Sequence, residues 1–244
     1  MEFNMARHRY KWRIAGFIFK ALCMLIIAAI VILLLWRMID NNNDPKEMDT
    51  VIPNALLVDA YNEKGDSLNT YYQEQTRYTR GENNYGYFAI TQSLIIDDID
   101  QIQFVFRYNN STLKHTFEDY SLSEIPSRDE EVYDVTLTVM YDLTPDNDAD
   151  NDGKTKDAVR YERFYPSDMV SAKKTLYNYR KFVFDGIAID DSVIAVYADF
   201  YYVGDIDYEK TPYGSLLIYH YEEPNVKYKL SKNDIQAITA WKKN

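Results

Sequence analysis

From Ile14 to Trp36 the chain reads IAGFIFKALCMLIIAAIVILLLW, an apolar run interrupted only by Lys20. A helix needs roughly 20 such residues to cross a hydrocarbon core of about 30 Å, so residues 14–36 are predicted to span a membrane once. Trp12 and Trp36 bracket the run as interfacial aromatics do, and Lys20 lies near enough to one end for its stem to reach the headgroups. The run is longer than a signal-peptide core. It is followed by RMIDNNNDP, which lacks a small-x-small cleavage pattern, so an uncleaved signal anchor is expected. Arg7, Arg9, Lys11 and Arg13 precede it, which predicts a cytoplasmic tail at residues 1–13 and an extracytoplasmic C-terminal domain.

After Trp36 the character changes. Residues 37–50, ending in DNNNDPKEMDT, are polar and Asn-rich and read as a spacer. Period-two segments follow: ALLVDAY (55–61), YFAI (87–90), IQFVFRY (102–108), VTLTVMY (135–141), VRYERFY (159–165), LYNYRKFVF (176–184), VIAVYADFYYV (193–203), SLLIYHY (215–221) and VKYKL (226–230). In IQFVFRY, Ile102, Phe104, Phe106 and Tyr108 share one face and Gln103, Val105 and Arg107 the other. Such runs, bounded by turn residues, predict an all-β fold: an antiparallel β-sandwich of immunoglobulin-like or fibronectin-like character. Helical signals are few. PSDMVSAKK (166–174) reads as one or two turns. SKNDIQAITAWKK (231–243) reads as a short C-terminal helix capped by Ser231 and Asp234, with Ile235, Ile238 and Trp241 near helical spacing.

YFAITQSLIIDD (87–98) resembles KFVFDGIAIDD (181–191) at an offset of about 93 residues, and each copy is followed by a strand pattern. Two organisations are therefore expected. One is a pair of tandem sandwiches, 51–145 and 158–244, with an acidic loop at 146–157 between them. The other is a single large sandwich over 51–244 with that loop inside it.

The loop is PDNDADNDGKTKD (145–157). It partly fits the calcium-loop template D-x-[DN]-x-[DN]-G-x5-E, in which alternate side chains converge on one ion. From Asp148 the match is Asp148, Asp150, Asp152 and Gly153, but the closing position is Val159. From Asp146 it is Asp146, Asp148, Asp150, Asn151 at the turn and Asp157 at the close. Asp146, Asp148, Asp150, Asp152 and Asp157 are thus the candidate metal ligands, with a structural calcium ion as the candidate cofactor. The alternative is a solvated acidic loop.

Charge sharpens the division of the chain. Of 27 basic and 38 acidic residues, six basic residues and one acidic residue fall in 1–37, leaving 21 and 37 for the rest. A large acidic part offers no footprint for nucleic acid. Cys23 is the only cysteine and lies in the apolar run, which excludes an intramolecular disulfide and a cysteine nucleophile outside the membrane. A secreted β domain without disulfides fits a bacterial envelope. His115 and His220 are the histidines beyond the anchor. Neither has zinc-ligand spacing, and no G-x-S-x-G is present. Carboxylate pairs for a glycoside hydrolase are Glu222 with Glu223, Asp97 with Asp98, and Asp190 with Asp191, but neighbours on a strand face opposite ways.

These features predict a single-pass protein of the cell membrane, held in the bilayer by residues 14–36. Its ectodomain is a non-enzymatic binding or structural module: an adhesin, scaffold or envelope accessory subunit with a protein or polysaccharide partner. One alternative is a calcium-dependent carbohydrate-binding module, its platform in YADFYYV (197–203) and YNYR (177–180). A second is a carboxylate-dyad glycoside hydrolase.

Overall fold

The computed structural model describes residues 2–73, 88–142, 159–209 and 211–241. Residues 1–43 and 44–244 form two units. The first is helix α1, Glu2–Asn42. From Phe17 to Ile39, 23 residues with a mean hydropathy of 3.0, none of its window is buried. A helix apolar on every side and covered by no protein is long and apolar enough to cross a membrane, and a signal sequence has the same character. Across the predicted spacer at 37–50, α1 continues to Asn42, and α2, Lys46–Asp49, follows with Met48 fully buried.

In the second unit, α3 (Ala55–Lys64) precedes β1 (Thr70–Gln73), β2 (Ala89–Ile96) and β3 (Gln101–Asn109). Next come α4 (Asn110–Asp119), β4 (Tyr133–Asp142), β5 (Val159–Phe164), β6 (Asp168–Lys173) and β7 (Tyr177–Asp185). The unit closes with β8 (Val193–Tyr202), β9 (Gly214–His220), β10 (Asn225–Lys227) and α5 (Lys232–Trp241). The strands make two antiparallel sheets, β10-β1-β2-β3-β7-β6 and β5-β4-β8-β9.

One core lies between the sheets. Phe104 and Phe106 of β3 and Phe182 and Phe184 of β7 meet Val135, Leu137 and Val139 of β4 and Val196, Ala198 and Phe200 of β8. Phe106 and Phe200 touch edge to face across the two sheets, with ring centroids 4.8 Å apart. Phe88 stacks on Phe200 at 4.6 Å. The other side of the first sheet is also apolar near β2. There Leu94 and Ile96 pack under Leu57 and Val58 of α3 and Ile238 of α5. The helices therefore form a third layer, so both faces of the first sheet are covered.

That layer corrects the strand expected at 55–61. Seven residues of ALLVDAY fit a strand or a helix turn equally well. The Asn54 side chain accepts from the Leu57 N–H (2.9 Å), which caps a helix there. Gly65, at φ 54°, ends it and donates its N–H to the Tyr61 carbonyl. The helical turns expected at 166–174 are strand β6, paired with β7 from Asp168↔Val183 to Lys173↔Asn178. Helix α4 lay hidden in NSTLKHTFED, behind a capping box between Asn109 and Thr112. Helix α5 starts at its predicted cap: Ser231 Oγ accepts the Asp234 N–H (3.2 Å), and Asp234 accepts the Ser231 N–H (2.7 Å).

The two similar segments do different things. The first makes a hairpin within one sheet, β2 to β3, through Asp97–Ile99 and Asp100 at φ 51°. The second leaves the first sheet after Asp185, turns at Gly186 (φ 78°), and enters the second sheet as β8. The Ile187 N–H donates to the Asp100 carbonyl at 2.7 Å, so the first turn anchors the crossover. Pairing of β3 with β7, β1 with β10 and β4 with β8 joins strands from before and after the acidic loop in both sheets. A boundary between 51–145 and 158–244 cuts through both of them.

Candidate functional site

The predicted calcium ligands Asp146, Asp148, Asp150, Asp152 and Asp157 lie outside the described residues. Among the described residues, no group of three or more His, Cys, Asp or Glu side chains is placed to hold a metal ion. Members of all three acidic pairs are bonded locally. Asp98 bonds Lys64 (2.5 Å) and the Asn69 N–H, while Asp97 accepts from Asn69 Nδ2. Asp190 accepts from the Ser192 N–H and hydroxyl. Glu222 takes the Tyr221 hydroxyl, and the His220 ring accepts the Glu222 N–H through Nδ1 (3.3 Å). His115 sits on α4, 3.7 Å from Glu118. A cleft of about 230 Å³ beside β6 holds Arg128, Lys173 and Arg180. Arg128 is spent on Asn178 and two backbone carbonyls, Lys173 on Asp129, and Arg180 on Glu131.

Among the described residues, two polar groupings remain. The first is a buried layer on the helix-covered face of the first sheet. Lys181 of β7 alternates with Phe182 and so points away from the inter-sheet core. Its ammonium donates to the carbonyls of Met48 (3.0 Å) and Thr50 (2.8 Å) and to Gln92 Oε1 (3.4 Å). Beside it, Gln103 and Ile52 bond reciprocally, backbone N–H to Oε1 and Nε2 to carbonyl, each at 2.9 Å. Asp234 accepts the Val51 N–H at 2.8 Å. The segment entering the domain is therefore held as an added strand would be, but by side chains. Lys181 is 2 % exposed and all three of its protons are engaged, so it serves as a clamp and not as a nucleophile.

Burial pulls the Lys181 amine from the ordinary lysine value of 10.5 down to about 8, although Asp234 and Asp49 oppose the shift. Between those two values the unfolded chain holds a proton that the folded one lacks, so stability rises with pH from about 8 to about 10.5. The expected gain is about 3 kcal/mol. Burial holds Tyr71 and Tyr228 protonated well above 10.0, so from about that pH their ionisation in the unfolded chain erodes the gain. Urea unfolding of wild type and Lys181→Met from pH 7 to 10 isolates the lysine. The rise should appear only in the wild type, and equal slopes for the two proteins would exclude this assignment.

The second grouping is the outer face of the second sheet. Alternation puts Tyr161 and Arg163 of β5, Thr136 and Thr138 of β4, Tyr197, Asp199 and Tyr201 of β8, and Ser215 and Leu217 of β9 on this side. The register sets Arg163 and Tyr197 on either side of Thr138, and Thr136 and Ser215 on either side of Asp199. Asp199, 7 % exposed, accepts from the hydroxyls of Thr138 (2.5 Å) and Ser215 (2.7 Å). Its burial raises its pKa against the pull of those hydroxyls and of Arg163. Tyr208, from the loop after β8, folds over one end. Its ring lies 5.1 Å from Tyr201 and 5.5 Å from Tyr165, and its hydroxyl donates to Asp134. The Arg163 guanidinium sits 5.7 Å from the centre of the Tyr208 ring, and its Nε is buried without a partner. Tyr161 and Tyr165 flank this centre at 64 % and 55 % exposure.

The tyrosine platform expected in 197–203 and 177–180 is not present as such. Tyr201 lies under Tyr208, Tyr202 packs on Tyr120 at 4.7 Å, and Tyr179 is fully buried. Tyr177 carries the Arg107 guanidinium over its ring at 4.4 Å. On this face the exposed tyrosines are Tyr161 of β5 and Tyr165 just after it. Their signal was in VRYERFY, where Tyr161, Arg163 and Tyr165 occupy alternate positions. No protein-family model, curated protein or solved structure matches this chain.

Proposed function

We propose that this protein is a membrane-anchored binding or structural module, with α1 in the bilayer, its basic end in the cytoplasm, and residues 44–244 outside the cell. The observation that carries this is the apolar window Phe17–Ile39, bare of protein on every side. The clamped segment after α1 supports a mounting role, because side-chain bonds to the backbone of residues 48–52 give the domain a fixed point of attachment. Two sheets sharing one aromatic core suit a rigid scaffold of the adhesive kind, as immunoglobulin-like and fibronectin-like modules are. The exposed side chains described above are of binding type.

Protease added to intact cells should remove the C-terminal bulk and leave α1 in the membrane fraction through an alkaline carbonate wash. Protection of the bulk in intact cells, with cleavage only after lysis, would reverse the orientation. Release of the whole chain into the carbonate supernatant would remove the anchor.

A further inference from the structure

We propose that the outer face of the second sheet, with Tyr161, Arg163, Tyr165, Asp199 and Tyr208, binds a neutral saccharide chain; this rests on the outward placement of the domain argued above. The face mixes polar and aromatic groups. Arg163, Thr138, Tyr197 and Leu217 lie in one row of the register and Thr136, Asp199 and Ser215 in the next, with Tyr161 and Tyr165 along the β5 edge and Tyr208 over one end. Sugar rings match such a mixture. Their C–H faces lie flat on tyrosine rings, and their hydroxyl pairs both donate and accept.

The polar groups have capacity to spare. Arg163 is half-buried, and a guanidinium presents a planar fork of donors that fits two neighbouring sugar oxygens. Asp199 takes one hydroxyl on each carboxylate oxygen, and each oxygen keeps a further lone pair. Charge selects among polymers. Residues 38–244 carry 37 acidic against 21 basic residues, and a field of that sign repels polyanionic glycans. A neutral polymer meets no such penalty. Exposed tyrosines along the edge strand β5 also invite edge-to-edge association, a liability that a bound ligand removes.

The full chain in detergent micelles, mixed with cellulose, chitin or β-1,3-glucan particles, should sediment with at least one of them and not with insoluble polygalacturonate. Retention should fall about tenfold or more in the Tyr161→Ala/Tyr165→Ala double variant and in Arg163→Ala. Arg163→Lys should bind more weakly than wild type, since a point charge replaces the fork. The two tyrosines are exposed, so the double variant should melt at the wild-type temperature, which separates lost binding from lost folding. Retention on none of the neutral particles, retention on polygalacturonate alone, or equal retention by all variants would each overturn the saccharide site. So would loss of a protein partner, and of nothing else, in the same variants. Cells that are shaved by protease but yield protein without polysaccharide retention would sink this inference alone. Cells whose domain stays protected would sink the outward placement on which it rests.

Discussion

Phe106→Ala should destabilise the domain by about 4 kcal/mol, the scale of a buried phenylalanine truncated in a core that cannot collapse around the loss. Phe106 is fully buried on β3, in the middle of the first sheet. It meets Phe200 of the other sheet at 4.8 Å and stacks along its own sheet on Phe182 (5.8 Å) and Tyr108 (5.9 Å). Its neighbours on β3 and β7 are fixed by ladder bonds from Gln101↔Asp185 to Asn109↔Tyr177, so the void cannot close without bending both strands. At roughly 2–4 °C per kcal/mol for a domain of this size, the melting temperature should drop by roughly 8–16 °C. Urea unfolding of wild type, Phe106→Ala and Tyr161→Ala measures it. The exposed Tyr161 should change stability by less than about 0.5 kcal/mol. A loss below about 1 kcal/mol at Phe106 would mean that the two sheets do not share this core.

Asp234→Ala should cost about 3 kcal/mol. The carboxylate is fully buried and answers three donors: the Val51 N–H (2.8 Å), the Tyr228 hydroxyl (2.8 Å) and the Ser231 N–H (2.7 Å). Truncation strands those donors away from water, and each stranded group costs about 1–3 kcal/mol before relaxation. The same change acts on Lys181. Asp234 is the larger of the two negative charges that hold the lysine proton on, so without it the Lys181 pKa falls below its present value of about 8. The pH window over which stability rises should then begin lower than in the wild type. The two losses should also be coupled. In a double-mutant cycle with Lys181→Met, the pair should lose less than the sum of the singles. Additive losses and an unmoved pH window would show that the carboxylate and the ammonium act independently, leaving Asp234 as a helix cap alone.

Much of the architecture was legible because it depends on local repeats. Alternation in IQFVFRY and VTLTVMY told which side chains turn inward, and Phe104, Phe106, Val135, Leu137 and Val139 are all in the core. The cap at Ser231 and Asp234 was legible because both partners lie within three residues. Failures came where a short segment satisfies two periodicities. ALLVDAY became α3 because Asn54 caps it and because β2 offers Leu94 and Ile96 as a surface to cover, a partner about forty residues away. DMVSAK became β6 because the edge of β7 was open to it. The resemblance between 87–98 and 181–191 was real as a pattern but silent about topology. A strand, an acidic turn and a second strand can stay in one sheet or change sheets, and only the partners of the second strand decide which.

The sequence by itself determined a lone apolar helix ahead of an acidic, strand-rich domain without disulfides, since hydropathy, charge and cysteine count are properties of the chain however it folds. Only the tertiary structure decided that Lys181 clamps the entering segment, that strands from both halves interleave in two sheets, and that Tyr161, Arg163 and Asp199 share one face. Each of those depends on the register between strands far apart in the chain, and cross-strand pairing energy belongs to neither strand alone.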